Sequence, residues 1–253
     1  MTYSIVALCP ETGHRGIAVA SRFFAAGAIV PYIRGGRAAV ASQAFINPLW
    51  GMEAAERCAA GEAGEAVIAD LVARDAGSDN RQIHLIDAHG AIAAHTGAAC
   101  VDWAGHVGAP GVSVAGNMLS GPQVIEATLE AFLAASGPLA ERMMTAMEAG
   151  EAAGGDKRGT QSAGLRLHRS EDYPWFDLRA DDHPDPLAEI RRLYAVAHER
   201  FIHFAESMGT RANFAGAIDR APMDKAIAEA EAARIARGES SHSFARDRGA
   251  PKR

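Results

Sequence analysis

The sequence predicts an α+β fold: a four-layer αββα sandwich in which two antiparallel sheets stack and helices cover both outer faces. Two observations carry this. The periodicity runs strands, two helices, strands, two helices, strands, helix, which is the order expected of stacked antiparallel sheets with helices outside. Paired strand-length runs are also joined by short turns, as in TYSIVAL and GIAVA around Glu11-Thr12-Gly13 and QIHLID and AIAAH around Ala88-His89-Gly90. A Rossmann fold, which alternates strand and helix singly, does not fit.

The first strand, Thr2 to Leu8, and the second, Gly16 to Ala20 ending in Ser21-Arg22, form a hairpin that brings the end of the second strand beside Thr2. Phe23 to Ile33 is apolar but broken by Gly27 and Pro31, and reads as a connecting segment. Arg37 to Ser42 is a third strand closing in the polar Gln43. Asn47-Pro48 opens a helix to about Ala60, with Asn47 as N-cap and Pro48 at its first position. A second helix spans Glu62 to Arg74, its Ala66, Val67, Ala69, Leu71 and Val72 fitting a helical stripe.

Strands resume at Gln82 to Asp87 and Ala91 to His95, then at Val101 to Val107 and Val112 to Ala115. Helices follow over Gln123 to Ala135 and Leu139 to Gly150, each opened by a proline. After Gly154-Gly155, strands are expected over Gln161 to His168 and Trp175 to Arg179. Asp185-Pro186 starts a long helix whose face carries Leu187, Ile190, Tyr194, Ala197, Phe201 and Phe204. This gives a domain over residues 1 to 205 and a helical extension with a tail over 206 to 253. In the latter Asn213 to Ile218 reads as a turn of helix, Met223 to Arg237 as a charged surface helix, and Glu239 to Arg253 as a mobile basic end.

Composition excludes several classes. The chain is 48% hydrophobic and 22% charged, enough apolar material for a core. A net charge of −6 argues against nucleic acid as a partner, because phosphate neutralisation needs a basic face. Cys9, Cys58 and Cys100 show no CxxC spacing, so neither a disulfide framework nor a zinc site is expected. No basic leader and no membrane-length apolar run stand out, so a cytoplasmic protein is expected, without membrane partners. Ala-rich helices offer flat surfaces, and a homodimer is the expected assembly.

Thr2 carries the chemistry first. Removal of Met1 from before this small residue would leave a hydroxyl and a free α-amine on one residue, nucleophile and base together. Against this, threonine is also simply a good strand residue. Ser21 and Arg22 end the neighbouring strand, where the planar fork of Arg22 suits a substrate carboxylate. Gln43 closes the third strand as a further binding residue. Gly154 to Gly159 sets Asp156, Lys157 and Arg158 in a loop whose glycines let backbone approach a ligand, without being a P-loop. Gln161 and Ser162 follow, one aimed into the cleft and one away. Asn117, after the run VSVA, is a candidate oxyanion donor or a residue in a left-handed turn.

Asp177, Arg179, Asp181, Asp182, His183 and Asp185 form an oxygen-rich cluster of the kind that suits hard cations, but Asp185 has a capping role and the spacing matches no metal motif. His84, His89, His95 and His106 lack ligand spacing and read as structural. No metal and no cofactor are expected.

The stretch TYSIVALCPETGHRGIAVASRF, together with GGDKRGTQSAG (Gly154 to Gly164) and DLRADDHPDPLAEIRRL (Asp177 to Leu193), resembles the bacterial family called domain of unknown function 1028, which is classed with the Ntn (N-terminal nucleophile) hydrolases. The resemblance covers residues 1 to 205. It implies the αββα sandwich and amide-bond chemistry, and brings no substrate with it.

The expected function is therefore an Ntn-type amidohydrolase acting on a small-molecule or peptide-like amide bearing a carboxylate. The alternative is a non-catalytic ligand-binding or scaffolding protein on the same fold. A third possibility is a hydrolase that uses Ser21, Asp156 or Lys157 in place of Thr2.

Overall fold

The computed structural model describes residues 2–245. The chain divides into two compact units, Met1–Ile190 and Arg191–Arg253.

The first unit is mixed α+β, with two antiparallel sheets. Its ten strands are β1 (Thr2–Leu8), β2 (Arg15–Ser21), β3 (Pro31–Arg34), β4 (Ala38–Ala44), β5 (Arg81–Ile86), β6 (Ile92–Thr96), β7 (Gly105–Ala109), β8 (Val112–Asn117), β9 (Ser162–His168) and β10 (Phe176–Ala180). One sheet has six strands in the order β10-β9-β2-β1-β8-β7, and the other has four in the order β3-β4-β5-β6. Five α-helices belong wholly to this unit: α1 (Ala26–Ile29), α2 (Pro48–Ala59), α3 (Gly64–Arg74), α4 (Gln123–Ala134) and α5 (Leu139–Ala152). A sixth, α6 (Pro186–Val196), begins in it.

Strand alternation decides what each face meets. On one face of β1 and β2, Val6, Ile17 and Val19 join Ala39 and Ala41 of β4 and Ile86 of β5 in a buried cluster drawn from both sheets. The opposite face of β4 and β5 offers Ala38, Val40, Ile83 and Leu85, which pack against Trp50, Ala54 and Cys58 of α2 and Val67 and Leu71 of α3. On the other face of β1, the Tyr3 hydroxyl donates to the Met147 carbonyl of α5 at 2.9 Å. Gly16 in β2 lets the Met143 side chain of α5 approach closely: an added Cβ would stand 2.6 Å from Met143 Sδ, which would have to move.

Local chemistry sets the helix starts. The Asn47 side chain accepts from Leu49 N at 3.1 Å with Pro48 at the first helical position, and Asp185 accepts from Ala188 N at 3.1 Å ahead of Pro186. The first turn closes through Gly13 at φ 70.

Two elements follow β2 where the sequence predicts only a connection. The segment read as a connection holds both α1 and β3. The helix is a single turn containing Gly27, and the strand has four residues and begins with Pro31, so neither is long enough to impose a period on the sequence. Proline is tolerated because β3 is an edge strand. Residues 213–218, expected to form a helical turn, contain no helix.

The second unit continues α6 into a π-helical turn (Ala197–Phe201), α7 (Ile202–Ala205) and α8 (Ala221–Ala236). No residue of α8 is buried. Glu199 accepts from Ser241 Oγ at 2.7 Å and from His242 N at 2.6 Å. The remainder of the expected mobile end, beyond 245, lies outside the described residues. No helix among the described residues is long and apolar enough to cross a membrane. The three cysteines are free thiols.

Candidate active site

The register of the six-stranded sheet sets Thr2 between Ser21 of β2 and Asn117 of β8. All three are buried. The hydroxyl oxygens of Thr2 and Ser21 are 3.0 Å apart, so a serine from the neighbouring strand orients the threonine side chain.

Thr2 opens on a cavity of about 230 Å³. Its wall is Phe23, Ala26, Ile29 and Val30 from the segment after β2, and Gln43, Ala44, Phe45 and Ile46 from the end of β4 and beyond. Apart from Thr2 and Gln43, every lining side chain among the described residues is apolar. Phe45 is held in place although it is 74% exposed: the Arg81 guanidinium lies over its ring at 5.2 Å and donates to its carbonyl. Arg81 is itself paired with Asp75 at 3.1 Å.

The backbone around the site is strained. Among the described residues, the non-glycines at positive φ are Ala25 (φ 54), Ala44 (φ 68) and Met118 (φ 55). Ala44 lines the cavity, Ala25 precedes a lining residue, and Met118 follows Asn117. Left-handed backbone at a residue with a Cβ costs about 1–2 kcal/mol, and such outliers gather at functional sites.

Behind Thr2 a buried polar network runs between the sheets. Ser4, two residues along the same face of β1, donates to Gln43 Oε1 at 2.7 Å and meets His84 Nε2 at 2.8 Å. The Ser4 hydroxyl has one proton, which goes to Gln43, so His84 must donate from Nε2 and accept at Nδ1 from Ser113 Oγ at 3.0 Å. Burial first, and the nearby His106 second, push the His84 pKa down to about 3, so the ring is neutral. Gln82 is the hub. Its Oε1 accepts from Gln43 and Asn117 at 2.8 and 3.0 Å, and the two hydrogens of its Nε2 are shared among Gly116 O, Thr96 Oγ1 and Gly105 O.

Of the expected site residues, Thr2, Ser21, Gln43 and Asn117 come together. Gln43 lines the cavity, but its amide is engaged by Ser4, Gln82 and the Ala115 carbonyl. Asn117 donates to Gln82. Asp156 sits in a different role. Its side chain is inaccessible and accepts backbone amides of Arg22 at 3.0 Å and Arg158 at 2.8 Å, fastening the glycine-rich loop to the end of β2. Lys157 Nζ donates to the Asp102 carbonyl at 2.8 Å, and Arg158 lies 3.6 Å from Asp156. Gln161 bonds Asp182 through its side chain and Ser21 O through its backbone. Ser162 donates to Phe23 O at 2.6 Å and accepts from Ala26 N at 3.1 Å, which positions one side of the cavity.

The acidic cluster is taken up elsewhere. Asp177 pairs with Arg166 at 2.9 Å, Asp181 lies 3.6 Å from Arg179, and Asp185 caps α6. Among the described residues, no group of three or more His, Cys, Asp or Glu is placed to hold a metal.

Ser4, Gln82, His84 and Ser113 had not been singled out as a set. The signal was there in polar residues at i and i+2, Thr2 with Ser4 and Gln82 with His84, but period alone does not say which face is buried.

A model of the family described as a family of unknown function, DUF1028, matches residues 2–190. The crystal structure of protein SPO2555 from Silicibacter pomeroyi, described with the same family, superposes with a TM-score of 0.80 at 30% identity, covering 86% of this chain and 96% of that one. Anbu (ancestral beta-subunit) from Yersinia bercovieri gives a TM-score of 0.38 at 13% identity, over 83% of this chain and 100% of that one. No curated protein matches the chain.

Proposed function

Since the chain belongs to the family of unknown function DUF1028, we propose from the chemistry of its site that it is an amidohydrolase of the N-terminal-nucleophile type, built on a four-layer αββα sandwich, with Thr2 as nucleophile. The observation that carries this reading is Thr2, which lines an apolar cavity at the start of one of the two central strands with its hydroxyl 3.0 Å from Ser21 Oγ.

Once the peptide bond before Thr2 is cut, its α-amine, with an ordinary pKa of roughly 8, is a partly neutral base near pH 7. It takes the hydroxyl proton through a bridging water as Thr2 Oγ1 attacks the amide carbonyl. The carbon–nitrogen bond breaks, the proton passes to the leaving amine, and an ester remains on Thr2. Water then cleaves the ester and restores the hydroxyl. Asn117, the register partner of Thr2, spends one amide hydrogen on Gln82 and has a second to offer the oxyanion. Ser21 orients the nucleophile and is a positioning residue. Pinned by Asp156 through its backbone amide, Arg22 supplies positive charge for a substrate carboxylate.

The second reading, a binding protein that holds a ligand without turnover, draws on Gln43 and Asn117 both being bonded to Gln82. Intact-mass measurement of the purified protein, followed by assay of Thr2→Ala and Thr2→Ser against a panel of small amides, separates the two. The hydrolase reading expects a chain beginning at Thr2, no turnover from the alanine variant and residual turnover from the serine variant. An uncut Met1–Thr2 bond throughout, or an alanine variant as active as the parent, favours the rival.

A further inference from the structure

We infer that the substrate is an N-acyl amino acid whose apolar acyl group fills the Thr2 cavity while its carboxylate is met at the rim by Arg22. The direction of cleavage rests on the hydrolase reading above; the division of the ligand between cavity and rim does not.

The wall sets the acyl group. Phe23, Ile29, Val30, Phe45 and Ile46 face the cavity, and no charged side chain among the described residues lines it. A carboxylate placed deep among these side chains would lose its hydration with no side-chain cation to replace it. The volume, about 230 Å³, exceeds the 150 Å³ or so of an apolar cavity that takes up benzene. A phenylacetyl or hexanoyl group is of the right size, and acetyl would leave most of the wall uncovered. Phe23 and Phe45 are 58% and 74% exposed, which is large apolar surface for an apolar ligand to cover.

The rim sets the other half. Arg22 stands between Ser21, which touches the nucleophile, and Phe23, which lines the cavity. Its backbone amide is held by the buried Asp156, whereas its exposed guanidinium has no ion-pair or hydrogen-bond partner among the described residues. The neighbouring cations differ: Lys157 is bonded to the Asp102 carbonyl and Arg158 lies against Asp156. A fixed backbone with an unengaged planar fork is suited to a carboxylate arriving from solvent. With the acyl group inside, attack by Thr2 leaves the amino acid outside the cavity, within the reach this inference assigns to the exposed Arg22, whose Nη1 lies over the glycine-rich loop, 3.8 Å from where a Cβ on Gly159 would stand.

Binding to the Thr2→Ala protein, measured by titration calorimetry, tests the inference without turnover. N-phenylacetylglycine and N-hexanoylglycine should bind, and N-acetylglycine should bind at least about tenfold more weakly, because most of the apolar burial is gone. Arg22→Gln should weaken N-phenylacetylglycine about tenfold through loss of a charge-assisted hydrogen bond, and leave uncharged phenylacetamide unchanged. Ile46→Trp, which narrows the cavity from its half-exposed side, should abolish binding of the large acyl groups while circular dichroism stays that of the parent. N-acetylglycine or N-succinylglycine binding as tightly as N-phenylacetylglycine would overturn the inference, as would failure of both large acyl groups to bind. Binding in this pattern with no hydrolysis by the processed parent supports the acyl pocket and sinks the hydrolase reading alone.

Discussion

The hydroxyl oxygens of Thr2 and Ser21 face each other at 3.0 Å across the first hairpin, both out of water. In strand β1, Thr2 is the position where backbone register, side-chain orientation and access to a cavity coincide. Replacing Ser21 by alanine removes the side-chain partner of the nucleophile without changing the strand.

Ser21→Ala is therefore expected to lower kcat on any hydrolysed amide about tenfold, the loss of one hydrogen bond of about 1–1.5 kcal/mol. Ser21→Thr should recover part of it. Steady-state kinetics with circular dichroism as the folding control decide the matter; an unchanged kcat would count against the oriented-threonine arrangement.

His84 makes stability depend on pH. Its folded pKa of about 3 lies below the ordinary 6.5, so acid favours the unfolded chain, which takes up the proton first. The contribution is complete above about pH 6.5 and is lost as the pH falls toward 3. Between pH 7.5 and 5 the loss is about 2 kcal/mol. Urea unfolding at the two pH values should record this loss, and His84→Gln should shrink it. His106 and His168 are pushed down mainly by burial as well, so the flattening is partial. A His84→Gln protein with the parent's full pH dependence would contradict the assignment.

Gly27 and Gly164 form a backbone-to-backbone contact that carries α1 on β9. A Cβ on Gly164 would lie 2.7 Å from the Gly27 Cα, and one on Gly27 would lie 3.0 Å from the Gly164 Cα. Gly164→Ala should cost about 1–3 kcal/mol, as overpacking does, and lower Tm by roughly 2–4 °C for each kcal/mol. Ala26 lines the cavity, so ligand affinity should fall with it. Differential scanning calorimetry showing no change in Tm would mean that the helix can shift freely.

Much of this molecule was written locally. The Asn47-Pro48 and Asp185-Pro186 helix starts, the Gly13 turn and the pairing of β1 with β2 depend on residues within a few positions of one another or joined by a short turn. Sequence alone could therefore set Thr2 beside Ser21. It also marked the glycine-rich loop, although not its work: Asp156 fastens backbone 134 positions away, and Gly164, in the strand β9 that follows the loop, makes room for α1. What tertiary structure decided was which polar residues face inward and what surrounds Thr2. Ser4 reaches Gln43 and His84 across 39 and 80 positions, and Gln82 reaches Asn117 across 35. A strand's period of two fixes that Thr2 and Ser4 share a face, but only the stacking of a second sheet determines that this face is buried. Burial in turn makes His84 neutral, because desolvation is a property of the assembled surroundings and not of the residue.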